Sequence, residues 1–438
     1  MLNKLRIYLG DLSYLNIKSN FGNITNPLSV GYIGTYLMLR HGIDIEINIF
    51  KDPVKLVDAC NNNIPDLIGL SFYTWNTNLN HNIVKFIKNN TKKNIYIVWG
   101  GPSVDTNIEE QKSLFKRFPE VDFFVENEGE GGMANIIKSI LSKKNIFENP
   151  IDGATFKINN EIIKGKSIGL STDLNLLDSP YLNGLMDPFI KDGLKPTMQT
   201  SRLCPYTCSF CVSGKNKGKI RAFDLDLVNE EIKFIAKKYS DKPNRTLCLT
   251  DENFGVLDRD VEVATMIKKS SIDYNYPKTV HFYNDKRFTE RSRKIVGMLG
   301  PMNAYGMTLA LQSENPEALK AANRRNITSS QIDDNIKWAV KNNLNATTEL
   351  IFGLPGETYE SFKNVIDRSV QRGFDSVHCN NLYLVDGIEM NRPNYIKENN
   401  IGTHFRSVAD MAGKITVKNK ENEVHDLFCA ELQRVVTS

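Results

Sequence analysis

The stretch T-S-R-L-C-P-Y-T-C-S-F-C-V-S-G, residues 200–214, places Cys204, Cys208 and Cys211 within eight positions, directly after the strand-like run T-M-Q-T-S. Three thiolates so close in sequence can wrap one compact metal centre, and soft sulfur donors select iron-sulfur clusters or zinc. A structural zinc closes its shell with four protein ligands, and no fourth candidate lies nearby; a catalytic cluster keeps an open position. A zinc site that borrows a distant Cys or His, and buried unreactive cysteines, remain as alternatives on the residues alone.

Working outward, apolar runs of strand length alternate with helical patterns on both sides of this loop, which argues for parallel sheets with crossover helices. Downstream, R-T-L-C-L-T-D, T-V-H-F-Y-N, A-Y-G-M-T-L-A-L-Q, A-T-T-E-L-I-F-G and S-V-H-C-N-N-L-Y-L-V follow T-M-Q-T-S as strands. Six strand-then-helix repeats predict an open, partial (β/α)6 barrel over residues 196–400. Upstream, K-L-R-I-Y-L-G, D-I-E-I-N-I-F, D-L-I-G-L-S-F, I-Y-I-V-W-G-G and V-D-F-F-V-E read as five strands, with helices such as V-G-Y-I-G-T-Y-L-M-L-R-H capped by Gly42. They predict a doubly wound, Rossmann-like parallel-sheet domain over residues 1–148. Between the two, residues 149–195 read as a hairpin around Asn159 and Asn160 and then an irregular linker, and residues 401–438 as an appended segment.

The 438 residues are 41% hydrophobic and 24% charged, the balance of ordinary globular chains, and the net charge of +4 is dispersed with no basic run for a nucleic-acid partner. The start M-L-N-K-L-R-I-Y-L-G lacks a secretory h-region, and no apolar stretch reaches spanning length, so the expectation is a cytoplasmic protein without a membrane partner. Seven cysteines, an odd count, fit that compartment and metal ligation better than a disulfide framework.

The cysteine loop resembles the C-x3-C-x-aromatic-C signature of the radical S-adenosylmethionine (SAM) superfamily, with Phe210 as the aromatic. That resemblance implies a 4Fe-4S cluster on Cys204, Cys208 and Cys211, with SAM chelated at the fourth iron and cleaved to a 5'-deoxyadenosyl radical that abstracts hydrogen from a substrate. It continues in order down the chain. L-C-L-T-D-E-N-F offers Asp251 and Glu252 to the SAM ammonium. T-L-A-L-Q-S-E-N-P-E-A-L-K-A-A-N-R-R-N offers Gln312 and Ser313 to the ribose and Arg324 to the methionine carboxylate. E-L-I-F-G-L-P-G-E-T offers Gly353 and Gly356 as a turn whose backbone approaches SAM, although a tight turn alone would use the same glycines.

The first domain, through N-P-L-S-V-G-Y-I-G-T-Y-L-M-L-R-H-G, V-W-G-G-P-S-V and F-F-V-E-N-E-G-E-G-G, resembles the cobalamin-binding domain of one large radical SAM subfamily. Gly100, Gly101 and Gly129, at the carboxyl ends of predicted strands, would let backbone lie against a corrin. Two departures stand: none of the histidines lies in a D-x-H-x-x-G motif, and Asn127 replaces a glycine of the family's V-x-G-E-G-E. Cys60 and Cys248 read as core residues, Cys379 on the last strand as a possible cavity residue, and Trp75 and Trp99 as core or pocket walls.

The reading that results is a cobalamin-dependent radical SAM enzyme methylating an unactivated carbon of a small-molecule substrate. An external electron donor such as flavodoxin or ferredoxin would serve it, and no catalytic side chain is singled out. The rivals are a cobalamin-free radical SAM cyclase, oxidase or rearrangement catalyst, and a non-catalytic zinc-stabilised binding protein.

Overall fold

The computed structural model describes residues 4–14, 24–142, 149–158, 161–170, 173–215 and 218–437. The chain divides into two compact units, one of Met1–Pro188, Val385–Arg392 and Phe405–Gln433, the other of Phe189–Leu384, Pro393–His404 and Arg434–Ser438. No helix among the described residues is long and apolar enough to cross a membrane.

In the first unit β1 (Leu5–Gly10), β2 (Ile45–Phe50), β3 (Leu67–Ser71), β4 (Tyr96–Gly100) and β5 (Phe123–Val125) pair in parallel in the order β2-β1-β3-β4-β5. All five lie where alternating apolar runs predict them. Period-two alternation splits the side chains between two cores: Ile7 and Leu9 face one, Tyr8 the other. Helices α1 (Leu28–His41) and α5 (Gly129–Leu141) cover the first face with Val30, Leu37, Met133, Ile136 and Ile137. The second face is covered by α2 (Pro53–Asn62), α3 (Thr77–Asn89) and α4 (Ile108–Arg117), through Leu56, Leu79, Ile83 and Leu114. Each such side chain contributes about 1.5–3 kcal/mol on full burial. Gly42 closes α1 as expected, its N–H reaching the Met38 carbonyl.

The segment expected to link the domains instead extends this sheet. β6 (Ala154–Ile158) pairs antiparallel with β5, and β7 (Glu161–Lys164) with β6; Asn159 and Asn160, the expected turn, lie outside the described residues. Phe156 is fully buried opposite Phe123, which pins the hairpin to the edge of β5. The tail likewise has structure of its own, a long hairpin of β16 (Thr403–Lys418) and β17 (Val424–Val436). Its Ile415, Val417 and Cys429 join the second core of the first unit. Glu431 is 1% exposed; its carboxylate accepts from the Asn78 and Leu79 amides at the start of α3 and from the Tyr14 hydroxyl, each at 2.9 Å.

The second unit opens with α6 (Asp187–Lys191) and β8 (Thr197–Met198); a two-stranded ribbon, β9 (Ser201–Arg202) with β10 (Arg221–Ala222), brackets the cysteine loop. The expected repeats follow as α7 (Leu225–Tyr239), β11 (Thr246–Leu249), α8 (Asp260–Tyr274), β12 (Thr279–His281), α9 (Glu290–Leu299), β13 (Met307–Gln312), α10 (Pro316–Ala321), α11 (Ser329–Lys341), β14 (Ala346–Phe352), α12 (Tyr359–Arg372) and β15 (Ser376–Asn381), with α13 (Pro393–Glu398) after them. The strands form two parallel halves, β8-β11-β12 and β13-β14-β15. They meet where Val280 bridges Asn303 and the Asn284 side-chain amide donates to the Thr308 carbonyl. The result is the open, partial barrel of six strands.

Candidate active site: the cysteine loop and the surrounding strand ends

The cysteine loop leaves β9 through Leu203, whose φ of 91° turns the chain sharply. Two 3.1 Å and 3.0 Å turns, Cys211 N–H to Cys208 O and Gly214 N–H to Cys211 O, then coil it on itself. The coil is tight enough that a Cβ at Gly214 would overlap the Cys208 carbonyl and sit 2.9 Å from its carbon and nitrogen. The loop is tied to the end of α10: Ser209 donates through its amide to Ala322 (3.1 Å) and through its hydroxyl to Ala321 (2.8 Å). Asn323 donates to the Thr207 carbonyl at 3.0 Å.

Cys204 and Cys208 are buried, Cys211 is half-buried, and Phe210 lies half-buried in the turn between the last two. The Asn253 amide donates to Cys204 Sγ at 2.9 Å, while Lys286 Nζ and an Arg324 guanidinium nitrogen approach Cys208 Sγ at 3.9 and 3.8 Å. Burial pushes the Cys204 thiol up, and Lys286, the Tyr206 amide and Asn253 pull it back towards thiolate. Among the described residues no three His, Cys, Asp or Glu side chains converge tightly enough for a single ion. The fit to a cluster therefore rests on the donor set: three thiols on one wound loop, with cations and an amide aimed at the sulfurs, as hydrogen-bonded thiolate ligation of a cluster requires.

The neighbouring acids, expected together at the SAM ammonium, face different ways. Asp251 is 1% exposed, and its oxygens are taken by the Thr200 amide (2.6 Å), the Thr200 hydroxyl and the Ser201 hydroxyl (3.2 Å). Burial raises its carboxyl to about 6. Its hydrogen bonds brace the start of β9 against the end of β11 and direct it away from the position expected of it, at the SAM ammonium. Glu252 points the other way, open to solvent yet enclosed enough that its carboxyl is raised, with the Ser213 hydroxyl and Lys286 opposing the shift.

At the end of β13, Gln312 has a φ of 66° and is 8% exposed, and Ser313 is fully buried with its hydroxyl on Glu357. Arg324 is held by Asn326 Oδ1 at 3.1 Å and by the Ala310 carbonyl, which aims its remaining nitrogen at the cysteine loop. After β14, Gly353 and Gly356 both have positive φ, 91° and 84°. A Cβ at Gly356 would stand 2.9 Å from Glu317 Cβ on α10, so close packing already requires that glycine. Sequence reasoning missed Gly214, Asn253 and Lys286; the first lay in the quoted loop, and the others follow strand ends, where polar residues gather in such folds.

In the first unit the carboxyl ends of the strands form a polar rim. Lys51, 3% exposed, pairs with Asp11 at 2.8 Å, and the Ser71 hydroxyl donates to the same carboxylate at 2.7 Å. Beyond β3 the Tyr73 and Trp75 rings stack, 4.3 Å apart and 10° from parallel, both half-buried, whereas Trp99 is core. Gly101 has φ 133°, and a Cβ there would meet the Phe72 carbonyl at 2.9 Å. Gly129 begins α5 against Ile33, and Gly100 has ordinary room beside Val125. Asn127, standing where the resemblance leads one to expect glycine, has left-handed backbone, φ 59°, which asparagine tolerates better than most residues. His81 is bound to Glu120 at 2.9 Å, and His41 ends α1, where burial lowers its pKa. A flat aromatic shelf beside a glycine turn and a buried polar rim suits a corrin's apolar face and amide fringe.

Comparison with known proteins agrees with this arrangement. The family profile described as Radical SAM superfamily matches residues 198–369, and that described as B12 binding domain matches residues 16–137. The chain is 27% identical over 391 residues to cobalamin-dependent radical SAM methyltransferase TokK of Streptomyces tokunonensis, covering 86% of this chain and 56% of the relative. It is 28% identical over 364 residues to 2-(S-pantetheinyl)-carbapenam-3-carboxylate methyltransferase of Streptantibioticus cattleyicolor, covering 79% and 51%. The chain thus spans about half the length of these two relatives. Among solved structures, TsrM from Kitasatospora setae, with cobalamin and a 4Fe-4S cluster bound, superposes with a TM-score of 0.67 at 16% identity, over 89% of this chain and 74% of that one. The cobalamin-dependent SAM radical enzyme OxsB, with aqua-cobalamin bound, gives 0.62 at 18% identity, over 84% and 52%. At these identities the structures establish the fold.

Proposed function

The chain belongs to the radical SAM superfamily and carries a B12 binding domain ahead of its cysteine loop, and from that premise we propose that it is a cobalamin-dependent methyltransferase acting on an unactivated carbon of a small metabolite or natural-product intermediate. The observation that carries the proposal is the wound loop of Cys204, Cys208 and Cys211, with Lys286 and Arg324 directed at Cys208. When bound, a 4Fe-4S cluster with SAM supplies the radical that removes a substrate hydrogen atom, and cobalamin supplies the methyl group.

This chain's own residues hold and orient. The three cysteines would ligate three irons, with Phe210 packing the turn between two of them. Glu252 would accept the SAM ammonium, the only charge-bearing acceptor of the adjacent pair left after Asp251 is spent on Thr200. Gln312 and Ser313 would meet the ribose and Arg324 the methionine carboxylate, while Gly353 and Gly356 bring backbone close to SAM. In the first unit Gly100, Gly101 and Gly129, with the Tyr73–Trp75 shelf, would receive the corrin. The substrate is taken to be a small molecule, in keeping with the carbapenam named for one relative. Electrons would come from an external donor such as flavodoxin or ferredoxin. A cytoplasmic location accords with an oxygen-sensitive cluster.

The test is anaerobic reconstitution with iron, sulfide and cobalt counted on one sample, beside Cys208→Ala. About four irons and four sulfides with stoichiometric cobalt, all cluster absorbance being lost in the variant, is the expected result. A cluster without cobalt would remove methyl transfer from cobalamin; zinc without sulfide would overturn the proposal.

A further inference from the structure

The concave face of the half-barrel carries groups that the cofactor assignments leave unused. On β14, Ala346, Thr348 and Leu350 are fully buried and α11 packs on this strand, so the alternate residues Thr347, Glu349 and Ile351 point to the opposite, open face. Parallel register puts His378 of β15 beside Glu349, on the same face. Across the seam, Tyr283 and Tyr305 lie with ring centroids 6.2 Å apart and planes 19° from parallel, and His281 meets Tyr305 at 5.1 Å. These two tyrosines, one just after β12 and the other in the turn before β13, are 60% and 41% exposed.

Glu349 lies near enough to both rings that its charge helps burial raise the two phenols. Among the described residues no Lys, Arg or His pairs with it. Lys195 acts on His281 and Cys248 instead. A carboxylate without a counter-ion, beside exposed aromatic faces, is the arrangement that recognises an organic cation, by a charge-assisted hydrogen bond to the anion and by cation–π contact with the rings.

We propose that this face is a substrate subsite for a protonated or quaternary amine, with Glu349 supplying the anion and Tyr283 and Tyr305 its aromatic wall. The inference rests on the reading of the barrel as a small-molecule active site and narrows its substrate class to molecules with a cationic amine end. Glu349 and the tyrosines are specificity residues; they hold the substrate and take no part in the radical step.

The experiment is ligand-observed NMR on the full chain with phenethylamine and its neutral analogue phenethyl alcohol, on wild type, Glu349→Gln and Tyr283→Ala. The expected result is an amine preference of about tenfold or more in wild type, abolished in Glu349→Gln and weakened in Tyr283→Ala, with circular dichroism of each variant matching wild type. Equal binding of amine and alcohol by wild type, or an unchanged preference in Glu349→Gln, overturns the proposal. Because the measurement needs no cluster, its failure is distinct from failure of the functional reading, which iron and sulfide counting on the same preparation reports.

Discussion

Gly214→Ala should empty the cysteine loop without unfolding the protein. The added Cβ would overlap the Cys208 carbonyl and stand 2.9 Å from that residue's nitrogen and carbon, where ordinary contacts begin above 3 Å. Both partners are backbone, so no side chain can rotate to make room. The loop must uncoil by roughly an ångström, breaking the Cys211 and Gly214 turns. Overpacking costs about 1–3 kcal/mol where side chains can yield, and a backbone clash belongs at or above the top of that range. At about 3 kcal/mol the wound loop is disfavoured roughly a hundredfold, since each 1.4 kcal/mol is tenfold. The assay is iron and sulfide content after anaerobic reconstitution, beside circular dichroism and thermal melting of the same sample. The matched control is Gly297→Ala on the exposed side of α9, where the nearest atom to the new Cβ is 3.6 Å away. That change should leave cluster content alone and stabilise slightly, by about 0.4–1 kcal/mol. Wild-type iron in Gly214→Ala would refute the reasoning, because the cluster would then not need the coiled form of the loop.

Lys286→Met should make a reconstituted cluster harder to reduce: a unit charge about 4 Å away at an effective dielectric near 20 is worth about 4 kcal/mol, and screening of this half-buried lysine leaves a shift of tens of millivolts. An electron paramagnetic resonance redox titration reads it, and an unchanged potential would remove Lys286 from the cluster environment. Lys51→Met strands the Asp11 carboxylate at the rim of the first unit, with partners 3% and 13% exposed, and should cost about 3–5 kcal/mol in thermal or denaturant unfolding. Adding Asp11→Asn should recover part of that loss; a double variant no better than the single would mean that the charge is not what destabilises. Asp251 is raised from 3.8 to about 6, so between those values the folded state holds a proton that the unfolded state has released. The contribution of this carboxyl to stability is therefore full below pH 4 and is lost as pH rises through 6, about 3 kcal/mol in total, and Asp251→Asn should remove that component from the pH dependence of melting.

The strands of both units were legible because their signal is local. Alternation over five or six residues is enough to mark Ile7, Tyr8 and Leu9 as a strand with two buried faces, and C-x3-C-x2-C is local by definition. What stayed hidden depends on partners far along the chain. The hairpin of β6 and β7 reads correctly as a hairpin, yet nothing in residues 149–164 says that β5 will accept it as an edge. The tail is harder, because β17 buries an acid: Glu431 breaks the apolar pattern, and its donors, Tyr14, Asn78 and Leu79, lie some 350 to 417 residues earlier.

The adjacent acids Asp251 and Glu252 show the same limit inside the site. The sequence T-D-E-N places two carboxylates after β11, and composition gives no ground to choose between them. The strand ends at Leu249 and the chain turns at Glu252 and Asn253, so the two neighbouring carboxylates are carried to different surroundings. Which surroundings each acid meets is set from outside the motif, by Thr200 and Ser201 at the start of the cysteine loop, whose amide and hydroxyls engage Asp251. That contact holds Asp251 inward, while Glu252, in the turn that follows, meets Ser213 at the loop's far end and lies near Lys286 after β12. One buried carboxylate thus ties the cysteine loop to the segment that presents the other, and Thr200→Val should weaken SAM binding if Glu252 holds the ammonium as proposed, although Thr200 touches only Asp251.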